Sequence, residues 1–104
     1  METAYSVVLT TAASREDARE IAEKVLREKL AACVQLVPIE SFYTWKGEVA
    51  REDEILLLLK TREALYPELE SAIIAMHKYR TPEIVLLPVD NGSAAYLAWI
   101  DEVT

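Results

Sequence analysis

The segment Glu54-Ile55-Leu56-Leu57-Leu58-Leu59-Lys60 sets five apolar side chains in a row between charged ends. Successive side chains of a strand point to opposite faces, so Ile55, Leu57 and Leu59 line one face and Leu56 and Leu58 the other. A strand with one wet face alternates apolar and polar residues, and an unbroken run predicts cover on both sides. A chain of 104 residues with two full-length helices has little cover to offer. Part of it is expected from outside the chain, so subunit association is the first functional expectation.

The rest of the sequence supplies the sheet in which this strand sits. Tyr5 to Thr11 is β-branched and aromatic and predicts a strand. Ser14 with Asp17 three positions on resembles a capping box. Beyond it Ala18, Ile21, Ala22, Val25, Leu26 and Leu30 recur at helical spacing. Cys33 to Trp45 predicts a second strand, with Pro38 at an edge, bend or bulge because it lacks a ladder donor. Lys46-Gly47 is the turn, and Glu48 to Thr61 the returning arm of an unusually long hairpin. Arg62 to His77 predicts a second helix, with Leu65, Leu69, Ala72, Ile73 and Met76 on one face and Pro67 confined to the first turn. Glu83 to Val89 predicts the last strand. Asn91-Gly92 predicts a turn, Ser93 a cap, and Ala94 to Val103 a short closing helix with Tyr96, Leu97, Ile100 and Val103 inward.

The order predicts an α+β fold, a ferredoxin-like βαββαβ sandwich with a long β2–β3 hairpin and a short C-terminal helix, in a single domain over residues 1–104. Right-handed crossovers put both long helices on one face of a four-stranded antiparallel sheet. The other face is then covered by a second copy or, in part, by the terminal helix.

Charge and composition narrow the function. Eleven basic residues against eighteen acidic ones give a formal charge of −7, which argues against nucleic acid as a partner, since phosphate binding needs a basic face. No apolar stretch approaches the ~20 residues that span a bilayer, so no membrane partner is expected. The first residues lack the basic region and apolar core of a signal segment, and the one cysteine forms no intrachain disulfide. Together these predict a cytoplasmic protein.

Several segments resemble one known family. Leu30-Ala31-Ala32-Cys33-Val34, Ser41-Phe42-Tyr43-Thr44-Trp45-Lys46-Gly47, Leu59-Lys60-Thr61, Thr81-Pro82-Glu83-Ile84 and Tyr96-Leu97-Ala98-Trp99-Ile100 are similar, in order and spacing, to the CutA family of divalent-cation tolerance proteins. The resemblance runs from Val7 to Ile100. It implies a homotrimer of ferredoxin-like subunits joined through the hairpin strands, binding of copper or other divalent metal ions, and a structural parallel to PII signalling trimers. Two departures stand out. Family members usually read His-Pro-Tyr-Glu where this chain has His77-Lys78-Tyr79-Arg80, which sets two cations beside the histidine. Some relatives carry cysteine where Thr10 stands and histidine where Met76 stands, so a site using those positions is altered here.

The residues themselves offer His77, Cys33 and Met76 as metal ligands. Imidazole, thiolate and thioether favour a soft ion, copper above all. A structural zinc site wants four ligands at short paired spacings, which this chain lacks within one copy, although a trimer would supply three of each donor. Each residue also has a plainer reading: Cys33 as a small buried hydrophobe, Met76 as core packing, His77 as a helix C-terminal residue near the last carbonyls. Glu48, Glu52, Asp53 and Glu54 read as solvation and edge protection on the hairpin, or as a draw for hard cations. Tyr43 and Trp45 near the tip read as interface packing or as the cover of a shallow cleft.

Catalysis is not expected. The sequence holds no nucleophile elbow and no Gly-rich phosphate loop. Tyr43 or Tyr79 with His77 and a carboxylate would make an acid–base site between subunits, but nothing in the sequence places them together. The leading expectation is a homotrimeric divalent-cation tolerance protein that is not an enzyme. The alternative is a PII-like signalling or scaffold trimer taking a small effector or protein partner in its clefts, against which the two-residue hairpin turn argues.

Overall fold

A computed structural model describes residues 4–104. Its elements run β1 (Tyr5–Ala12), α1 (Arg15–Arg27), β2 (Cys33–Trp45), β3 (Glu48–Arg62), α2 (Tyr66–Met76), β4 (Ile84–Pro88) and α3 (Ala94–Val103), with a 3₁₀ turn at Glu63–Leu65 before α2. The four strands form one sheet in the order β2-β3-β1-β4, every neighbour antiparallel. This is the ferredoxin-like α+β arrangement expected from the element order.

Local chemistry sets the element ends. Ser14 has extended backbone and its hydroxyl accepts from the Asp17 amide at 3.1 Å, closing the N-terminus of α1. At the other end the Leu30 amide donates to the Val25 carbonyl at 2.9 Å and the Lys29 amide to Leu26 at 3.1 Å, with Lys29 at φ 58. That is a Schellman stop with lysine at the left-handed position usually given to glycine. Leu30 is therefore buried by the capping turn and not by the helix, whereas Leu26, expected on the inner face, is exposed. The hairpin turn falls at Lys46-Gly47, at φ 51 and φ 78, the double positive φ of a tight antiparallel turn.

The second helix starts four residues later than the apolar spacing predicts. Arg62 still pairs with Tyr5, and the Glu63 amide donates to the Ala4 carbonyl at 2.9 Å, so the ladder holds the chain extended past Thr61. Pro67 then lies in the first turn of α2, where its missing N–H costs nothing. The last strand is shorter than Glu83–Val89 by a residue at each end.

One layer of the core is closed. Ile55, Leu57 and Leu59 of β3 and Val8 and Ala12 of β1 are buried under Ala18, Ile21 and Val25 of α1 and Leu69 and Ile73 of α2. The other face of the sheet is treated differently along its length. At the Tyr5–Arg62 end α3 lies against it: the Tyr5 hydroxyl donates to the Asp101 carboxylate at 2.5 Å and the Arg62 guanidinium to the Thr104 hydroxyl at 2.9 Å. Lys60 Nζ stands 5.5 Å from the Tyr96 ring centre, and Ile100 is buried. Tyr96, expected to point inward, stays exposed on this helix. Beyond α3, Leu56 and Leu58 are half-buried, and Val37, Val85 and Leu87 on the same face are exposed to 43, 46 and 49%. The expectation of cover on both faces of the leucine run is met by the chain itself on one face and only in part on the other.

The hairpin carries seven rungs, from Ile39↔Glu54 to Trp45↔Glu48, beyond the last rung that packs on the core. These stretch the chain to 44 Å in its longest dimension against 22 Å in its shortest. Phe42, Trp45 and Val49 are exposed on this arm.

Candidate functional site at the base of the hairpin

The candidate ligands fall in two places. Cys33 opens β2, half-buried, opposite Lys60 on the sheet face that α3 partly covers. His77 ends α2, its amide donating to the Ile73 carbonyl at 2.9 Å, and its ring reaches Thr11, which pairs with Leu56. Leu56 and Lys60 are four positions apart on β3, roughly 13 Å at the usual strand rise. Cys33 and His77 of one chain therefore do not share a site. Met76 is half-buried against the core and borders a small cavity of about 20 Å³ together with His77, Lys78, Tyr79, Asp17 and Glu20, room for a single water. Among the described residues no group of three or more His, Cys, Asp or Glu side chains gathers as a metal cage. The donor types suit copper, but their arrangement within one chain does not fit it as a preformed centre.

His77 is instead hydrogen-bonded at both ring nitrogens. Its Nε2 donates to the Thr11 carbonyl at 2.6 Å, and its Nδ1 accepts the Tyr79 amide at 3.0 Å. The carbonyl can only accept and the amide can only donate, which assigns the proton to Nε2. The Tyr79 ring packs at 4.7 Å centre to centre from the imidazole, tilted by 52°. Its hydroxyl donates to Glu54 Oε2 at 2.9 Å, on the first rung outside the core. His77, Tyr79 and Glu54 thus meet within one chain, but both imidazole nitrogens bond backbone groups and only the phenol bonds the carboxylate, so no hydrogen bond joins the imidazole to the phenol. The electrostatics there run against proton transfer near neutrality. Burial, followed by the hydrogen bond to Glu54, pushes the Tyr79 phenol well above its ordinary range.

Lys78 Nζ lies 2.6 Å from Asp17 Oδ1, so one of the two cations beside His77 is drawn onto α1. That hydrogen bond holds the Asp17 carboxyl below its ordinary range. On the hairpin, Arg51 bridges Glu40 and Asp53, each at 2.6 Å. Tyr43 donates to Glu52 at 2.8 Å, which raises the Tyr43 phenol. The acidic run is therefore divided by the strand pleat, with Glu52 and Glu54 on one face and Asp53 on the other. An open cleft of about 460 Å³ lies where α1 meets the hairpin, bordered by Arg15, Pro38, Ile39, Glu40, Asp53 and Glu54.

A four-stranded antiparallel sheet with two helices on one face, a long hairpin and a partly bare second face defines a ferredoxin-like protein built around its hairpin. The chain belongs to the family of the CutA1 divalent ion tolerance protein, which it matches over residues 6–103. It is 48% identical over 99 residues to the divalent-cation tolerance protein CutA of Thermus thermophilus, covering 94% of this chain and 96% of that one. It is 43% identical to the chloroplastic CutA of Arabidopsis thaliana, covering 94% of this chain and 54% of that protein, so it spans about half of the longer relative. Among solved structures, the periplasmic divalent cation tolerance protein CutA from Archaeoglobus fulgidus superposes with a TM-score of 0.94 at 39% identity, covering 95% and 97% of the two chains. No helix among the described residues is long and apolar enough to cross a membrane.

Proposed function

We propose that this protein contributes to divalent-cation tolerance by binding such ions, as a homotrimer and without catalysing a reaction. Membership of the CutA1 family across nearly the whole chain carries this reading. The exposed Val37, Val85 and Leu87 beside half-buried Leu56 and Leu58 supply an apolar surface for a second copy. Fully burying a wholly exposed side chain of this kind contributes about 1.5–3 kcal/mol, and each of these half-buried ones correspondingly less, so several together would drive association. The seven rungs beyond the core give each hairpin the reach to pair with a neighbour. Copper is the ion that thiolate, imidazole and thioether favour, with Cys33, His77 and Met76 as first candidates. Because these donors are dispersed within one subunit, coordination is assigned to the surfaces where copies meet, in a cytoplasmic protein.

Calorimetric titration with Cu²⁺ tests the reading, with wild type beside His77→Ala and Cys33→Ser. Saturable binding that weakens at least tenfold in either variant is expected. No copper binding, or binding equal in all three proteins, would remove the ligand assignment.

A PII-like effector trimer is the second reading, favoured by the open cleft at the hairpin base. The two-residue turn at Lys46-Gly47 leaves no long loop to close over an effector.

A further inference from the structure

Both nitrogens of His77 are in use, Nε2 toward the Thr11 carbonyl and Nδ1 toward the Tyr79 amide. A neutral imidazole binds a metal through its unprotonated nitrogen. If Nδ1 is used, the Tyr79 N–H loses its acceptor outright. If Nε2 is used, the ring proton has to sit on Nδ1, where it faces the Tyr79 N–H, and the same bond is lost together with the Thr11 one. Turning the ring over about Cβ–Cγ puts ring carbons where the two nitrogens stood, so it breaks the Tyr79 and Thr11 bonds together. Every route to ligation at His77 therefore opens the Tyr79 amide bond.

Resting on the metal reading above, we infer that metal ligation at His77 and closure of the Tyr79 loop onto His77 are mutually exclusive states of this protein. The closed state is the one described: the Tyr79 amide on His77, and the Tyr79 hydroxyl on Glu54 of the hairpin. Asp17 and Glu20 of α1 and Lys78 of the loop border the same cavity, and they tune how strongly a cation is drawn there. They do not relieve the exclusivity, which follows from the count of ring nitrogens. A ligand that binds only the open state has its apparent affinity reduced by the fraction of molecules that are open, so loosening the loop tightens binding.

Amide hydrogen exchange at Tyr79 during titration with copper(II) chloride tests this, in wild type and His77→Ala, with copper affinity measured in parallel for Tyr79→Phe. Exchange at the Tyr79 amide is expected to accelerate in proportion to His77-dependent occupancy. Tyr79→Phe, which loses the tie to Glu54, is expected to bind copper about five-fold more tightly, the effect of one ordinary hydrogen bond. His77-dependent binding with unchanged Tyr79 exchange, or with unchanged affinity in Tyr79→Phe, would overturn the exclusivity while leaving the metal reading intact. Binding that emerges only in Tyr79→Phe supports it. No His77-dependent binding in either protein would overturn the metal role of His77 and the exclusivity with it.

Discussion

The Tyr79 hydroxyl donates to the Glu54 carboxylate at 2.9 Å across 25 positions of sequence, tying the loop after α2 to the first rung of the hairpin beyond the core. Tyr79→Phe removes that bond and keeps the ring packed at a tilt against His77. The variant is expected to lose about 1 kcal/mol in urea unfolding, the usual net worth of such a bond. Glu54→Ala should cost a similar amount, and the double variant about as much as either alone, because both remove one interaction. Fully additive losses would show that the two groups act separately.

At the C-terminus of α1 a lysine occupies a backbone position that suits glycine. Lys29 sits at φ 58, where a side chain costs roughly 1 kcal/mol. Lys29→Gly is expected to stabilise the fold by up to about 1 kcal/mol in the same assay, since the strain relieved outweighs the added freedom of the unfolded chain. A destabilised variant would mean that the capping turn is held by the lysine side chain.

Two buried threonines give opposite expectations. The Thr61 hydroxyl donates to the Leu30 carbonyl at 2.7 Å, pinning the end of the capping turn to β3. The Thr10 hydroxyl is fully buried on β1 without a protein partner. Thr61→Val should cost about 1–3 kcal/mol because it strands a buried carbonyl, whereas Thr10→Val should be neutral or stabilising. Equal losses at the two sites would contradict the assignment.

How much of this was legible beforehand follows from sequence separation. α1, the Lys46-Gly47 turn and the long hairpin are written in local periodicity and turn chemistry, and they lie where the pattern puts them. The start of α2 is not, because the extended backbone at Arg62 and Glu63 is fixed by pairing with Tyr5 and Ala4, over fifty positions away. Leu30 kept its burial but not its reason, since a Schellman turn with lysine at the left-handed position carries no glycine signal. The meeting of His77, Tyr79 and Glu54 depends on three elements converging at one end of the sheet. His77, Tyr79 and the carboxylates could be named from the sequence, but not their contact.

Acid should weaken the junction between α1 and the loop. The hydrogen bond from Lys78 holds the Asp17 carboxyl below its ordinary range. A carboxyl depressed in the folded state contributes stability above its unfolded pKa, and that contribution is lost as pH falls through the folded one. Stability measured below about pH 4 should therefore fall less steeply in Asp17→Asn than in wild type. At the alkaline end Tyr66 is raised to about 12 by its hydrogen bond to Glu70, so its contribution is complete below pH 10 and fades as pH rises toward 12.

One face of the leucine run of β3 is closed by α1 and α2, and the other opens onto Val37, Val85 and Leu87. Light scattering on the purified protein at micromolar concentration tests this directly, with Leu87→Asp alongside. Wild type is expected at three times the chain mass of 11.7 kDa, and the variant at a lower mass, because a carboxylate on that face has no partner in the interface. A wild-type protein that stays at the mass of one chain would contradict it.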